Sequence, residues 1–220
     1  MKQGVPVVDL RGDPDADLNG VIAHVRSGGL VAYPTETVYG IGGTCTPVAA
    51  DSVRRLKGRD GGKPLIALIP DRNAIPGLEW TPEAEELANI FWPGSLTLVL
   101  RDPGGSFPEG VRDPKRGTVG VRLSPHPIAS RLVAEFGAPL TSTSLNAQGE
   151  PPIASGEEAR EWLERVGALD VWLIDGGSLP RSRPSTVVDC TLRRPRVLRE
   201  GTIPMERLRC AIPEIDGIAS

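Results

Sequence analysis

The chain has 220 residues, a length that allows one large domain or two small ones, and 39% of them are hydrophobic, enough for a core without disulfide staples. Its 25 Lys and Arg stand against 28 Asp and Glu, for a formal net charge of −3. That balance excludes a generally basic nucleic-acid coat while leaving room for a local cationic pocket.

Helical and strand-like segments alternate almost to the end of the chain. Leu18, Val21, Ile22 and Val25 recur at helical spacing and Gly28–Gly29 stop the pattern, which predicts a helix over 15–27. A strand from Leu30 to Tyr33 runs into Pro34. Ala49, Val53 and Leu56 mark a second helix ending near Gly58, and Pro64 to Ile69 reads as a buried strand. Thr81-Pro82 is an N-cap with proline at the first helical position, opening a helix to about Phe91. Ser95 to Leu100 and Thr118 to Leu123 alternate as strands do. Pro127 opens a helix with Ile128, Leu132 and Phe136 on one face and Gly137 at its end; Pro139 to Thr143 is a further strand. Ser155 and Glu158 form a capping box for a helix carrying Ala159, Trp162, Leu163 and Val166. Strands near 171–174, 185–191 and 196–199 close the pattern. With no fixed-period repeat and no linker, the expectation is one α/β domain with a mixed sheet.

Common chemical signatures are missing. Gly40-Ile41-Gly42-Gly43 lacks the spacing of a dinucleotide fingerprint, and neither a P-loop nor a GxSxG occurs. Cys45, Cys190 and Cys210 form no CxxC pair and lie far in sequence from His24 and His126, so a preformed zinc cage is not expected. His126, between two prolines, suits a cap or a surface position. Met1 to Arg11 lacks the apolar run of a signal peptide, and no stretch approaches the ~18–20 apolar residues of a membrane span. A soluble, reduced, cytoplasmic protein is expected.

Polar residues gather instead where loops leave strands. Thr35-Glu36-Thr37 and Tyr39 follow one strand, the position where open α/β sheets collect site residues; the alternative is a turn capped by its own threonines. Lys57-Gly58-Arg59 can hold an anion, lysine as a point charge and arginine as a fork, or merely complement a helix C-terminus. Thr141-Ser142-Thr143-Ser144-Leu145-Asn146 offers neutral donors to phosphate or carboxylate, or else ends a strand in a turn. Arg122, Ser185 and Arg199 each place a cation or hydroxyl beside a strand, while Trp92-Pro93-Gly94 reads as a packing corner.

In order along residues 15–205, the run Gly29 to Gly40, the Lys57–Arg59 KxR, WPG before LTLVL, GVR at 120–122, Ser144–Asn146, Ser185–Asp189 and Arg199–Gly201 resemble the Sua5/YciO/YrdC family. The resemblance implies a YrdC-like α/β fold, a twisted mixed sheet with flanking helices around a positively charged cavity, with residues 1–14 as an N-terminal extension and 206–220 as a C-terminal tail. It also implies a nucleotidyltransferase, L-threonylcarbamoyladenylate synthase. Such an enzyme converts L-threonine, bicarbonate and ATP to threonylcarbamoyl-AMP and pyrophosphate for t6A modification of tRNA, with Mg²⁺ arriving on the nucleotide rather than in a protein site. By motif position, Lys57 and Arg59 would be catalytic on the phosphates. Thr118, Ser144, Asn146 and Arg199 would complete the ATP site, and Thr35, Arg122 and Ser185 would hold threonine. Contact with tRNA or RNA and hand-over to downstream t6A transfer proteins are further implications. Leu68 stands where the long form of the family carries histidine, and Asp60 where proline is usual. A YciO-like paralogue or a non-catalytic nucleotide- or RNA-binding module is the competing expectation.

Overall fold

The computed structural model describes residues 4–58 and 64–218. In chain order the elements are β1 (Val7–Asp9), α1 (Asn19–Arg26), β2 (Val31–Pro34), β3 (Tyr39–Gly42), α2 (Pro47–Leu56), β4 (Ile66–Leu68), α3 (Pro82–Phe91), β5 (Leu96–Arg101), β6 (Arg112–Asp113), β7 (Thr118–Arg122), α4 (Pro127–Phe136), β8 (Leu140–Ser144), α5 (Gly156–Arg165), β9 (Trp172–Asp175), β10 (Thr186–Asp189), β11 (Arg196–Arg199) and α6 (Met205–Ala211). The strands form one open mixed sheet in the order β1-β9-β2-β3-β8-β4-β7-β5-β10-β11, with β6 paired to β7 off this path. β9 is parallel to both β1 and β2, β4 to β7 and β5 to β10; the other neighbours run antiparallel.

Local chemistry sets most helix ends. The Oγ atoms of Thr46, Thr81 and Ser155 accept hydrogen bonds from the backbone N–H three residues on, at 3.1–3.2 Å. The Ser155–Glu158 box closes one residue early, because the Glu158 carboxylate takes the Ala154 N–H (3.0 Å). Gly137 ends α4 in the left-handed region (φ 80°), as its placement predicts. Helix α1 begins only at Asn19, since a turn from Asp13 to Ala16 and the Asp17 carboxylate on the Asn19 N–H occupy the preceding residues.

The flanking segments are part of the folded unit. Within the stretch read as an extension, β1 pairs with β9, and α6, in the stretch read as a tail, buries Leu208 against the α3 side of the sheet. Neither was visible as an element. β1 has three residues, and α6 shows one fully buried position rather than a stripe.

Three cores clothe the sheet. Helices α1 and α4 pack on Val31, Tyr33 and Leu140; α2 and α5 pack on Ala32, Ile41 and Leu173. On the other half of the sheet, α3 and α6 cover Leu96, Leu98 and Leu100 of β5 together with Val119, Val121, Val188 and Val197. Successive strand residues point to opposite faces, so the intervening side chains turn away from α3 and α6.

Candidate functional site

Those intervening side chains floor a cavity of about 440 Å³: Thr97 and Val99 of β5, Thr118, Gly120 and Arg122 of β7, and Val187 of β10. Thr35 and Val38 of the β2–β3 turn, Ser142 to Ser144 of β8, Ser185, Arg199 and Arg116 form its walls. Val187 pairs with Thr97 on one side and Arg199 on the other, which sets Arg199 across the floor from Arg122. At about 4.8 Å per strand, the three spacings from β7 to β11 separate the two by ~14 Å. Arg116 and Thr118 lie toward the other end of β7.

The guanidinium of Arg122 is buried. Its Nη2 donates to the Glu36 carboxylate and to Thr37 Oγ1 (3.2 Å), while its Nε, also buried, has no partner. Glu36 further accepts from Ser95 Oγ (3.0 Å) and Ser124 Oγ (2.6 Å). Burial pushes the Glu36 carboxyl up, but the charge of Arg122 and these hydrogen bonds outweigh it and hold the group below the usual range. Thr35 is buried on the cavity wall; its hydroxyl donates to the Val38 carbonyl (2.7 Å) and meets Thr37 Oγ1 at 3.0 Å, so it shapes the turn as well. Ser185 Oγ lies 3.0 Å from Thr97 Oγ1.

Across the floor, the Arg199 fork grips the Ser185 carbonyl from Nε (3.1 Å) and Nη2 (2.8 Å). Gly201 permits this approach, because a Cβ there would sit 2.0 Å from the Pro184 carbonyl oxygen. Arg116 pairs with the buried carboxylate of Asp189, which also accepts from Thr191 Oγ1 (2.6 Å). Arg116 drew no notice in the sequence. It sits in the turn between β6 and β7, two residues ahead of Thr118, where strand alternation does not reach.

Lys57 and Asn146 are not on the cavity wall; they brace Ser144 from behind. The buried Lys57 ammonium donates to the carbonyls of Ser144 and Asn146 (2.7 Å to the latter) and to Asn146 Oδ1 (2.9 Å). Asn146 Oδ1 also accepts from Ser144 Oγ (2.6 Å), and its Nδ2 donates to the Glu150 carbonyl (2.6 Å). Arg59 lies outside the described residues, as does Asp60. Leu68 packs in the α1–α4 core rather than on the cavity. His126 caps α4, its Nδ1 accepting from the Ile128 N–H (3.3 Å). The Trp92 corner is a packing device: its Nε1 donates to the Leu96 carbonyl (2.7 Å) and its ring meets Trp80 edge-on at 5.9 Å.

The arrangement can hold two anionic groups, a small one at Arg122 and a larger one toward Arg199 and Arg116, between walls of hydroxyls. Fold and cavity thus define an open-sheet α/β protein with a cation-lined binding pocket. The chain belongs to the Sua5/YciO/YrdC family, whose sequence model, described as "Telomere recombination", matches residues 23–201. A relative from Vibrio vulnificus (strain YJ016), called threonylcarbamoyl-AMP synthase, is 35% identical over 84% of this chain and 99% of its own. The structure of Pyrococcus abyssi Sua5 complexed with L-threonine is 34% identical with a TM-score of 0.84, over 97% of this chain; this chain spans 62% of that longer one. Escherichia coli YciO superposes with a TM-score of 0.78 at 26% identity, over 94% of this chain and 99% of its own. No helix among the described residues is long and apolar enough to cross a membrane.

Proposed function

We propose that this chain joins L-threonine, bicarbonate and ATP into threonylcarbamoyl-AMP and pyrophosphate, the nucleotidyltransferase step that prepares t6A modification of tRNA. The observation that carries this reading is the unpartnered, buried Nε–H of Arg122 in a cavity whose far side holds Arg199 and Arg116. A buried donor without an acceptor is costly, and a ligand carboxylate would satisfy it. The names of the relatives, and the threonine bound by the Pyrococcus abyssi protein, support the same substrates.

In this reading Arg122 takes the threonine carboxylate, while Thr35 and Ser185 stand by its hydroxyl and amine. The amine forms an N–C bond to the carbon of bicarbonate with loss of water. The resulting carbamate oxygen attacks the α-phosphorus of ATP, and the bond to the β-phosphate breaks to release pyrophosphate. The protein positions the reactants and neutralises developing phosphate charge, the work of Arg59, Arg199 and Arg116 with the hydroxyls of Thr118 and Ser144. Lys57 and Asn146 serve the same end by holding Ser144. ATP enters as its magnesium complex; the Asp113, Thr118 and Ser144 oxygens at that end are hard donors of the kind Mg²⁺ accepts. The product is a mixed anhydride, which suits direct hand-over to proteins that transfer the group to tRNA.

The test is pyrophosphate release from ATP and bicarbonate with and without L-threonine, with the nucleotide product identified by mass. Threonine-dependent release with threonylcarbamoyl-AMP is expected. The likeness to YciO favours a second reading, a paralogue that binds nucleotide without this chemistry, and ATP binding with no pyrophosphate release in the presence of threonine and bicarbonate would select it.

A further inference from the structure

Glu36 has no part in the reaction above, yet its carboxylate ties three side chains together at the amino-acid end of the cavity. It accepts from Arg122 at the end of β7, from Ser124 just beyond, and from Ser95 just before β5. Both charged side chains are shielded, with 6% of Arg122 and 16% of Glu36 exposed. Among the described residues, the imidazole of His126 at the cap of α4 also feels Glu36, though burial pushes its pKa down. Arg122 therefore lines the cavity with a buried, unpartnered Nε–H and with its charge already balanced by a fixed negative neighbour.

Such a pair treats ligands differently from a lone arginine. A plain carboxylate gains the Nε–H hydrogen bond but meets the field of Glu36, and a phosphate dianion meets it with twice the charge. A zwitterion matches the pair, since its carboxylate faces Arg122 and its ammonium, two bonds away, is drawn by Glu36. We propose that Glu36 is a specificity-determining residue that makes the Arg122 pocket select an α-amino acid zwitterion over plain carboxylates and inorganic phosphate. The inference rests on the threonine reading of this pocket and deepens it.

Calorimetric titration of L-threonine, of its deamino analogue 3-hydroxybutyrate and of ATP into wild type, Glu36→Gln and Arg122→Ala tests it. Wild type is expected to prefer threonine to 3-hydroxybutyrate by about tenfold or more, and Glu36→Gln, which keeps the shape, to shrink that ratio about fivefold. Inorganic phosphate should begin to compete with threonine in the same variant, with ATP affinity within about twofold of wild type. A merely structural role would weaken both ligands together, so an unchanged ratio in folded Glu36→Gln overturns the proposal. Should Glu36→Gln fail to fold, Glu36→Asp keeps the charge and must keep the ratio; a collapsed ratio there overturns it equally. Arg122→Ala should lose both carboxylates. If it binds threonine normally, the threonine reading falls and this proposal with it, whereas loss in Arg122→Ala with an unchanged Glu36→Gln ratio removes only the role of Glu36.

Discussion

Lys57→Met keeps the aliphatic stem and removes an ammonium that donates to the carbonyls of Ser144 and Asn146 and to Asn146 Oδ1. Of these acceptors, Asn146 Oδ1 retains a bond, from Ser144 Oγ at 2.6 Å. A buried acceptor stripped of its partner costs about 1–3 kcal/mol. The orphaned groups share one short loop and relax together, so ~3 kcal/mol for the variant is the working figure, toward the low end for breaking a buried charged contact. Unfolding entropy of about 2.1 cal/mol/K per residue over the 220 residues gives ~0.46 kcal/mol/K, and hence a Tm lower by about 6 °C. Melts followed by far-UV circular dichroism measure the shift, and turnover on the same samples should fall about tenfold as Ser144 loses its bracing. A Tm within about 1 °C of wild type alongside that loss of turnover would refute the clamp and make Lys57 a direct phosphate contact.

Three further outcomes follow from the same contacts. Arg122→Lys is expected to weaken threonine binding far more than ATP binding in calorimetry, because an ammonium cannot reach Glu36, Thr37 and a ligand carboxylate with one planar fork; weakened ATP binding with intact threonine binding would move Arg122 to the nucleotide. Asp189, held below its ordinary 3.8 by Thr191 and Arg116 against the push of burial, contributes stability that is present above 3.8 and lost as pH falls through its lower folded value. The stability gap between wild type and Asp189→Asn in urea unfolding should thus be widest near neutrality and narrow below 3.8, and a gap independent of pH would contradict this. Burial pushes the thiols of Cys45 and Cys190 up to about 12, whereas Cys210 is exposed, so a thiol reagent at mild pH should label Cys210 rapidly and the other two only after unfolding.

Much of this is legible in the sequence, and the reason lies in periodicity. Helices α3 and α4 were written in Thr81-Pro82 and in the Pro127 to Gly137 frame, and β5 and β7 in their alternation. The cavity face of β7 could be read from the same alternation, which is why Thr118 and Arg122 share the floor. What escaped were relations between distant residues. Nothing local says that the Lys57 ammonium ends on the Ser144–Asn146 loop instead of pointing into the cavity, because the bond spans 87 residues of sequence and depends on how α2 meets β8. Asp189 and Arg116, 73 residues apart, are hidden for the same reason. β3 was masked by its motif, since Tyr39-Gly40-Ile41-Gly42 carries two glycines that weaken any strand pattern; Gly42 has no room for a side chain, its Cβ position lying 1.6 Å from the Thr141 carbonyl oxygen.

The alternation in β5 and β7 has an evolutionary side. Each strand carries two interleaved messages, one addressed to the helices behind it and one to the ligand in front, with Val119 and Val121 speaking to the first and Thr118, Gly120 and Arg122 to the second. Substitution can edit the two messages separately: a changed residue on the ligand side leaves the core untouched, so relatives can drift in what they bind while keeping the fold. Insertion cannot. One added residue between Val119 and Arg122 would turn every following side chain over, burying the arginine under α3 and handing valines to the substrate. Lengthening is therefore tolerable only in the loops, and diversification of pockets on this sheet must proceed by exchange of side chains.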